Sequence, residues 1–151
     1  MKSKADFSFC YFTATGMELD GLSEAVIRYR ETVGPLEVMA RTATQLFDKS
    51  RQRSFVEKAL KHSVIIVSLH GGKASCPAFD LLMEALAEIE EETGEKPYLH
   101  IQPTGGDEDS IVAAKDFSPD FGTPAWDRIK KYLGIGGFAN FEQLLYYLCH
   151  H

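Results

Sequence analysis

Residues 70–73 read His70-Gly71-Gly72-Lys73, and residues 104–109 read Thr104-Gly105-Gly106-Asp107-Glu108-Asp109. Each run couples a glycine pair to groups that can bind charge. In the first, the glycines let backbone N–H groups approach a ligand closely, and a helix N-terminus behind them favours an anion. Lys73 adds positive charge and Ser75 a hydroxyl. The same residues also serve as a tight turn that needs glycine only for its positive φ. They do not form a P-loop, because the pattern G-x-x-x-x-G-K-[ST] occurs nowhere in the chain. The second run offers carboxylates to a hard cation, without the spacing of an EF-hand loop. Read otherwise, it is an acidic, solvated loop that caps a short helix. A third polar run, Thr13-Ala14-Thr15-Gly16, adds two hydroxyls and a turn glycine.

Histidine and cysteine make a weaker case for chemistry. His100 alternates with Leu99 and Ile101, the pattern of a strand residue packed against a helix. Cys76 precedes Pro77 at an expected helix start, where a thiolate is favoured, and His70 is the nearest candidate base. No local ligand pair marks a zinc site, although Cys149-His150-His151 offers an adventitious one. The 3 cysteines, Cys10, Cys76 and Cys149, are far apart and form no C-x-x-C pair, which argues against a zinc ribbon or a thioredoxin-like site. An odd number of dispersed thiols points to reduced cysteines and a cytoplasmic location.

These loops must be held by elements, and the apolar pattern supplies them. Phe7–Thr13 is a doubly buried strand, and Leu22, Ala25, Val26 and Tyr29 recur at helical spacing before Gly34-Pro35. Leu36–Ala40 is a second strand. A helical stripe follows from Gln45 to His62, broken near Ser50. Ser63–Leu69 is β-branched and uncharged, the mark of a central strand. Phe79, Leu82, Met83, Leu86 and Ile89 define an amphipathic helix closed by Gly94. Pro97–Gln102 is a fourth strand, and Ser110–Lys115 a short helix. Thr123-Pro124 starts the next helix, with Trp126, Ile129 and Leu133 as its buried stripe, and Gly136-Gly137 ends it. Asn140 and Gln143 resemble a capping box before Phe141, Leu144, Leu145 and Leu148. Strand–helix alternation implies a parallel sheet with right-handed crossovers. The expected architecture is an α/β, flavodoxin-like three-layer sandwich with strand order 2-1-3-4, in one domain over residues 1–151. Ligands in such sheets bind beyond the carboxyl ends of the strands, at the switch point between strands 1 and 3. That places Thr13, Thr15 and Gly16 beside His70, Gly71, Gly72, Lys73 and Ser75, with Thr104, Gly105 and Gly106 nearby.

Composition narrows the partners. A net charge of -6 leaves no basic excess to displace counterions from phosphates, so nucleic acid is not expected. The hydrophobic fraction of 44% is enough for a core. No apolar run approaches the roughly 20 residues of a membrane span, and no secretory signal is visible.

From Val64 onward the chain resembles the amino-terminal region of the large chelatase subunit family, which comprises the cobaltochelatase large subunit and the magnesium-chelatase H subunit. The resemblance is carried, in order, by Leu69-His70-Gly71-Gly72, Pro77-Ala78-Phe79-Asp80 and Gln102-Pro103-Thr104-Gly105-Gly106. It continues with Phe117-Ser118, Phe121-Gly122, Trp126, Tyr132-Leu133, Gly136-Gly137, Asn140-Phe141 and Leu144–Leu148. It implies a longer parent subunit that holds a tetrapyrrole while ATPase subunits drive metal insertion. The parent complex would use ATP and Mg2+, with cobalt, or in the second branch magnesium, as the substrate metal. Later parts of the parent would carry insertion, so no catalytic residue and no cofactor is assigned to this segment. The loops lie closer to the cobalt type, in cobalamin biosynthesis.

Two other readings stand beside it: a free-standing flavodoxin-like binding or signalling domain, and a small enzyme using the switch-point cleft. The final helix runs to Cys149 without a stop signal, as if cut from a longer chain. Phe138, Tyr146 and Tyr147 add apolar surface, so residues 140–149 are expected to meet later domains of the parent or to self-associate.

Overall fold

Phe9, Tyr11, Ile65 and Ile66, all buried, belong to the two inner strands of the sheet that organises the chain. The computed structural model describes residues 7–104 and 106–150. The strands are β1 (Ser8–Thr13), β2 (Glu37–Thr42), β3 (Val64–Leu69) and β4 (Tyr98–Pro103). They form one parallel sheet in the order β2-β1-β3-β4, as the alternation predicts. β1 and β3 are buried at every position, consistent with their uninterrupted apolar runs and with helices on both faces.

The helices are α1 (Leu19–Thr32), α2 (Lys49–Ala59), α3 (Phe79–Thr93), α4 (Glu108–Phe117), α5 (Pro124–Ile135) and α6 (Gly137–Cys149). Cys10, Phe12, Ile65 and Val67 face one core, filled by Phe55 and Val56 of α2, Phe79 and Leu82 of α3 and Ala113 and Ala114 of α4. Phe9, Tyr11, Val64 and Ile66 face the other, filled by α1 and α6. α5 joins both, Trp126 to the first core and Ile129 to the second, so it straddles the β4 edge.

Three local expectations are corrected. The 45–62 stretch breaks at Phe47–Asp48 rather than Ser50, leaving a 3-10 turn at Ala43–Leu46 ahead of α2. The cause is Asp48, whose carboxylate accepts from Arg51 N–H at 2.8 Å and starts the helix. α4 is longer than 110–115 because Asp107 caps it. Asn140 and Gln143 form no capping box. Gly136 and Gly137 both hold positive φ, which lets the chain turn and restart a helix at Gly137. Asn140 is already inside it and donates back to Gly136 O at 2.9 Å. Thr123 and Pro124 behave as expected, with Trp126 N–H donating to Thr123 Oγ1 at 3.2 Å.

The apolar face of α6 is committed to its own chain. Phe141, Leu144, Leu145 and Leu148 are buried, each contributing roughly 1.5–3 kcal/mol. Tyr146 is half-buried against Tyr29, ring centroids 5.8 Å apart, and its hydroxyl meets Thr32 at 3.2 Å. Tyr147 is half-buried with the Arg128 guanidinium 4.5 Å from its ring centre. Phe138 stays exposed.

Candidate functional site

The chain leaves β1 toward β2 on one side and β3 toward β4 on the other, so the connections diverge at the carboxyl ends of β1 and β3. β1 continues along β3 for one residue past its end, with Ala14 N–H donating to Ser68 O at 3.1 Å. Thr13 is buried, and its hydroxyl accepts Gly16 N–H at 3.1 Å. Gly16 has φ +75°, and a Cβ there would lie 3.2 Å from Thr42 Cγ2, so glycine lets this loop pack on the end of β2. Thr15 is exposed and donates to Glu18 Oε2 at 3.4 Å. Glu18 also accepts from the buried Tyr11 hydroxyl at 3.0 Å. Burial first, and then the Glu18 carboxylate, push the Tyr11 phenol well above its ordinary value. Glu18 was not legible as a site residue. Its one signal is indirect: a tyrosine inside a buried strand needs an acceptor.

The other two loops interlock. Gly71 N–H donates to Asp107 Oδ2 at 3.2 Å, and Gly72 N–H donates to Ser110 Oγ at 2.9 Å. Asp107 meanwhile caps α4 through Ser110 N–H at 2.8 Å. Hydrogen bonds from Ser110, side chain first and then backbone, hold the Asp107 carboxyl below its ordinary value. Gly72 has φ +87°, and a Cβ there would stand 2.9 Å from Asp109 Cβ, so no larger residue fits without displacement. Ser75 closes its own loop, donating to Gly72 O at 2.7 Å and accepting His70 N–H at 3.1 Å. Thr104 ties the β4 end to β3, since its N–H and hydroxyl both donate to Leu69 O. His70 is exposed, with Nδ1 3.5 Å from Thr104 Oγ1. Exposed Lys73 lies 3.3 Å from Asp80. Gly106 is exposed, and Gly105 lies outside the described residues, as does His151.

The structure therefore changes the anion-cradle expectation. A 3-10 turn at Lys73–Ser75 follows the glycines, and α3 begins only at Phe79, so no α-helix N-terminus stands behind them. The two glycine N–H groups already bond to Asp107 and Ser110 of the same chain. The acidic loop acts as a built-in acceptor and helix cap. Among the described residues, no group of three or more His, Cys, Asp and Glu side chains is placed to hold a metal ion.

The thiolate expectation for Cys76 is also corrected. Its side chain faces the core, and burial pushes the thiol up to about 12. No hydrogen bond joins it to His70 among the described residues. His100 is fully buried, as its alternation implied. Its Nε2 pairs with Gln102 Oε1 at 2.9 Å, and burial lowers its pKa to about 4. At the opposite, amino end of the strands lies a cleft of about 1100 Å³. Its Tyr98 hydroxyl donates to Asp120 at 3.0 Å, and its Lys96 pairs with Glu90 at 2.5 Å.

The carboxyl end is a preformed surface. Exposed Thr15, His70 and Lys73 stand on loops that their own hydrogen bonds hold in place, with the two glycine loops locked together. Its hydroxyls are engaged within the chain, Thr104 with Leu69 O and His70 and Thr15 with Glu18. No helix among the described residues is long and apolar enough to cross a membrane. The chain matches no protein-family model and no curated protein sequence.

Proposed function

We propose that this chain is the amino-terminal, non-catalytic module of the large tetrapyrrole-holding subunit of an ATP-dependent metal chelatase of the cobalt-inserting type. Its carboxyl-end loops would form part of the wall against which the tetrapyrrole rests. The observation that supports this reading is the interlock of the loops at Gly71-Gly72 and Asp107–Ser110. Two of the runs that carry the chelatase resemblance meet where Thr104 donates to Leu69 O, and Asp107 and Ser110, just beyond the second run, accept from Gly71 and Gly72 N–H. The unit so formed presents His70 and Lys73 to solvent, as a holding surface would.

The test is cobalt insertion followed by absorbance. A complete mixture holds the large subunit carrying this chain, its ATPase partners, ATP, Mg2+ and a metal-free corrinoid. The expected result is insertion by the complete mixture and none by this chain alone. Gly72→Val in the large subunit should slow insertion by opening the loop lock. Insertion or ATP turnover by the chain alone, lost in Lys73→Ala, would overturn the non-catalytic assignment. A complete mixture that loads magnesium into a porphyrin, and leaves the corrinoid empty, would move the chain to the magnesium branch.

A further inference from the structure

Each outer strand of the sheet turns one row of backbone groups away from its neighbour, and the register identifies them. Ala14 N–H bonds to Ser68 O, so even-numbered residues of β1 bond toward β3 and odd-numbered ones toward β2. With Phe9 opposite Val38 and Tyr11 opposite Ala40, a parallel ladder engages the odd-numbered residues of β2. The backbone groups of Leu36, Val38, Ala40 and Thr42 therefore point outward. On β4, Tyr98 N–H bonds to Ser63 O, so the odd-numbered residues point outward. There Ser118 Oγ takes Ile101 N–H at 2.7 Å, Pro103 has no N–H, and α5 straddles the edge.

β2 is closed by side chains instead. Arg30 donates to Leu36 O through Nε at 3.0 Å and Nη2 at 2.8 Å. Arg41 Nη1 donates to Ala40 O at 2.8 Å, and Thr42 N–H donates to Gln45 Oε1 at 2.9 Å. Between Leu36 and Thr42 these caps leave Val38 N–H, Val38 C=O and Ala40 N–H facing outward. Arg30 and Gln45 are exposed and Arg41 is half-exposed, so each cap can swing into solvent.

We propose that β2 is a gated strand-pairing edge whose partner is a second copy of this chain, and that Arg30, Arg41 and Gln45 hold it shut. Once the caps open, Leu36 to Thr42 can pair, and the charges of this segment are self-complementary. In antiparallel pairing about Met39, Glu37 of one copy stands opposite Arg41 of the other, while Val38 and Ala40 exchange N–H···O bonds. The adjacent allowed registers place Met39 opposite Glu37 or opposite Arg41 and lose the charge match. The facing Glu37 carboxylate also gives Arg41 an acceptor in place of Ala40 O. The gate follows the general need to blunt an unpaired edge, and the charge pattern selects the partner and register when it opens.

Sedimentation velocity tests the gate. The chain should be monomeric, and the Arg30→Ala/Gln45→Ala variant, which keeps Arg41 to pair with Glu37, should sediment as a dimer at the same concentration. Adding Val38→Pro, which deletes an outward N–H, should return that variant to monomer. Disulfide trapping in a Cys149→Ser background tests the register. Under oxidant, Glu37→Cys/Arg41→Cys should cross-link to a dimer and Glu37→Cys alone should not, because only opposed residues come within the ~4.4–6.8 Å Cα separation of a disulfide. A double variant that stays monomeric with a native far-UV spectrum overturns the proposal, as does a wild-type chain that is already dimeric. Cross-linking of Glu37→Cys alone overturns the register. If the double variant loses its fold, the cross-linking pair decides.

Discussion

Ser110 is fully buried, and its hydroxyl accepts Gly72 N–H. Ser110→Ala leaves that N–H unsatisfied, which should lower unfolding stability by about 1–3 kcal/mol in a denaturant titration. Gly72→Ala should be at least as damaging, because it adds the approach to Asp109 to a strained positive φ. The glycines were legible because few other residues hold such backbone angles. Their partners were not, since Asp107 and Ser110 lie 36 and 38 residues further along and nothing in local spacing points to them. His100 gives a pH dependence. Its folded pKa of about 4 lies below the ordinary 6.5, so between these values the unfolded chain binds more protons. This contribution is complete above pH 6.5 and is lost as pH falls toward 4, on the order of 3 kcal/mol in all. His100→Gln should flatten the stability profile in that window. An unchanged slope would show that another group carries it.

Helix ends decide how the elements meet the site. α5 was readable from Thr123-Pro124, because the cap hydroxyl and the fixed φ of proline act within three residues of each other. α6 was misread because it starts on a glycine rather than on a polar cap. Gly136 combines φ +71° with ψ -167°, a conformation essentially reserved for glycine. Gly136→Ala should therefore lower stability by about 1–3 kcal/mol and expose α6 first, seen as faster amide exchange across 137–149 than across α1. Uniform exchange across both helices would mean that α1 and α6 open as one layer. At the β4 edge, Ser118→Ala should leave Ile101 N–H unpaired, with a loss of similar size. The strands themselves were legible within about two residues, since period and β-branching report burial directly.

At the scale of the whole molecule, strand order 2-1-3-4 brings three loops to one end of the sheet and leaves two edges to be closed. The topology was readable from the alternation of elements, because handedness and short connections leave few alternatives. Which loops would interlock was not, because that depends on side chains meeting across the switch point. The central claim is that this end of the sheet helps to hold a tetrapyrrole without acting on it. Absorbance titration of the purified chain with a metal-free corrinoid, in the presence of ATP and cobalt, tests it most directly. The account predicts a saturable spectral shift, weakened by Gly72→Val, with no metallated product and no phosphate release. A corrinoid spectrum that never changes, or one that converts to the cobalt form with the chain alone, would contradict it.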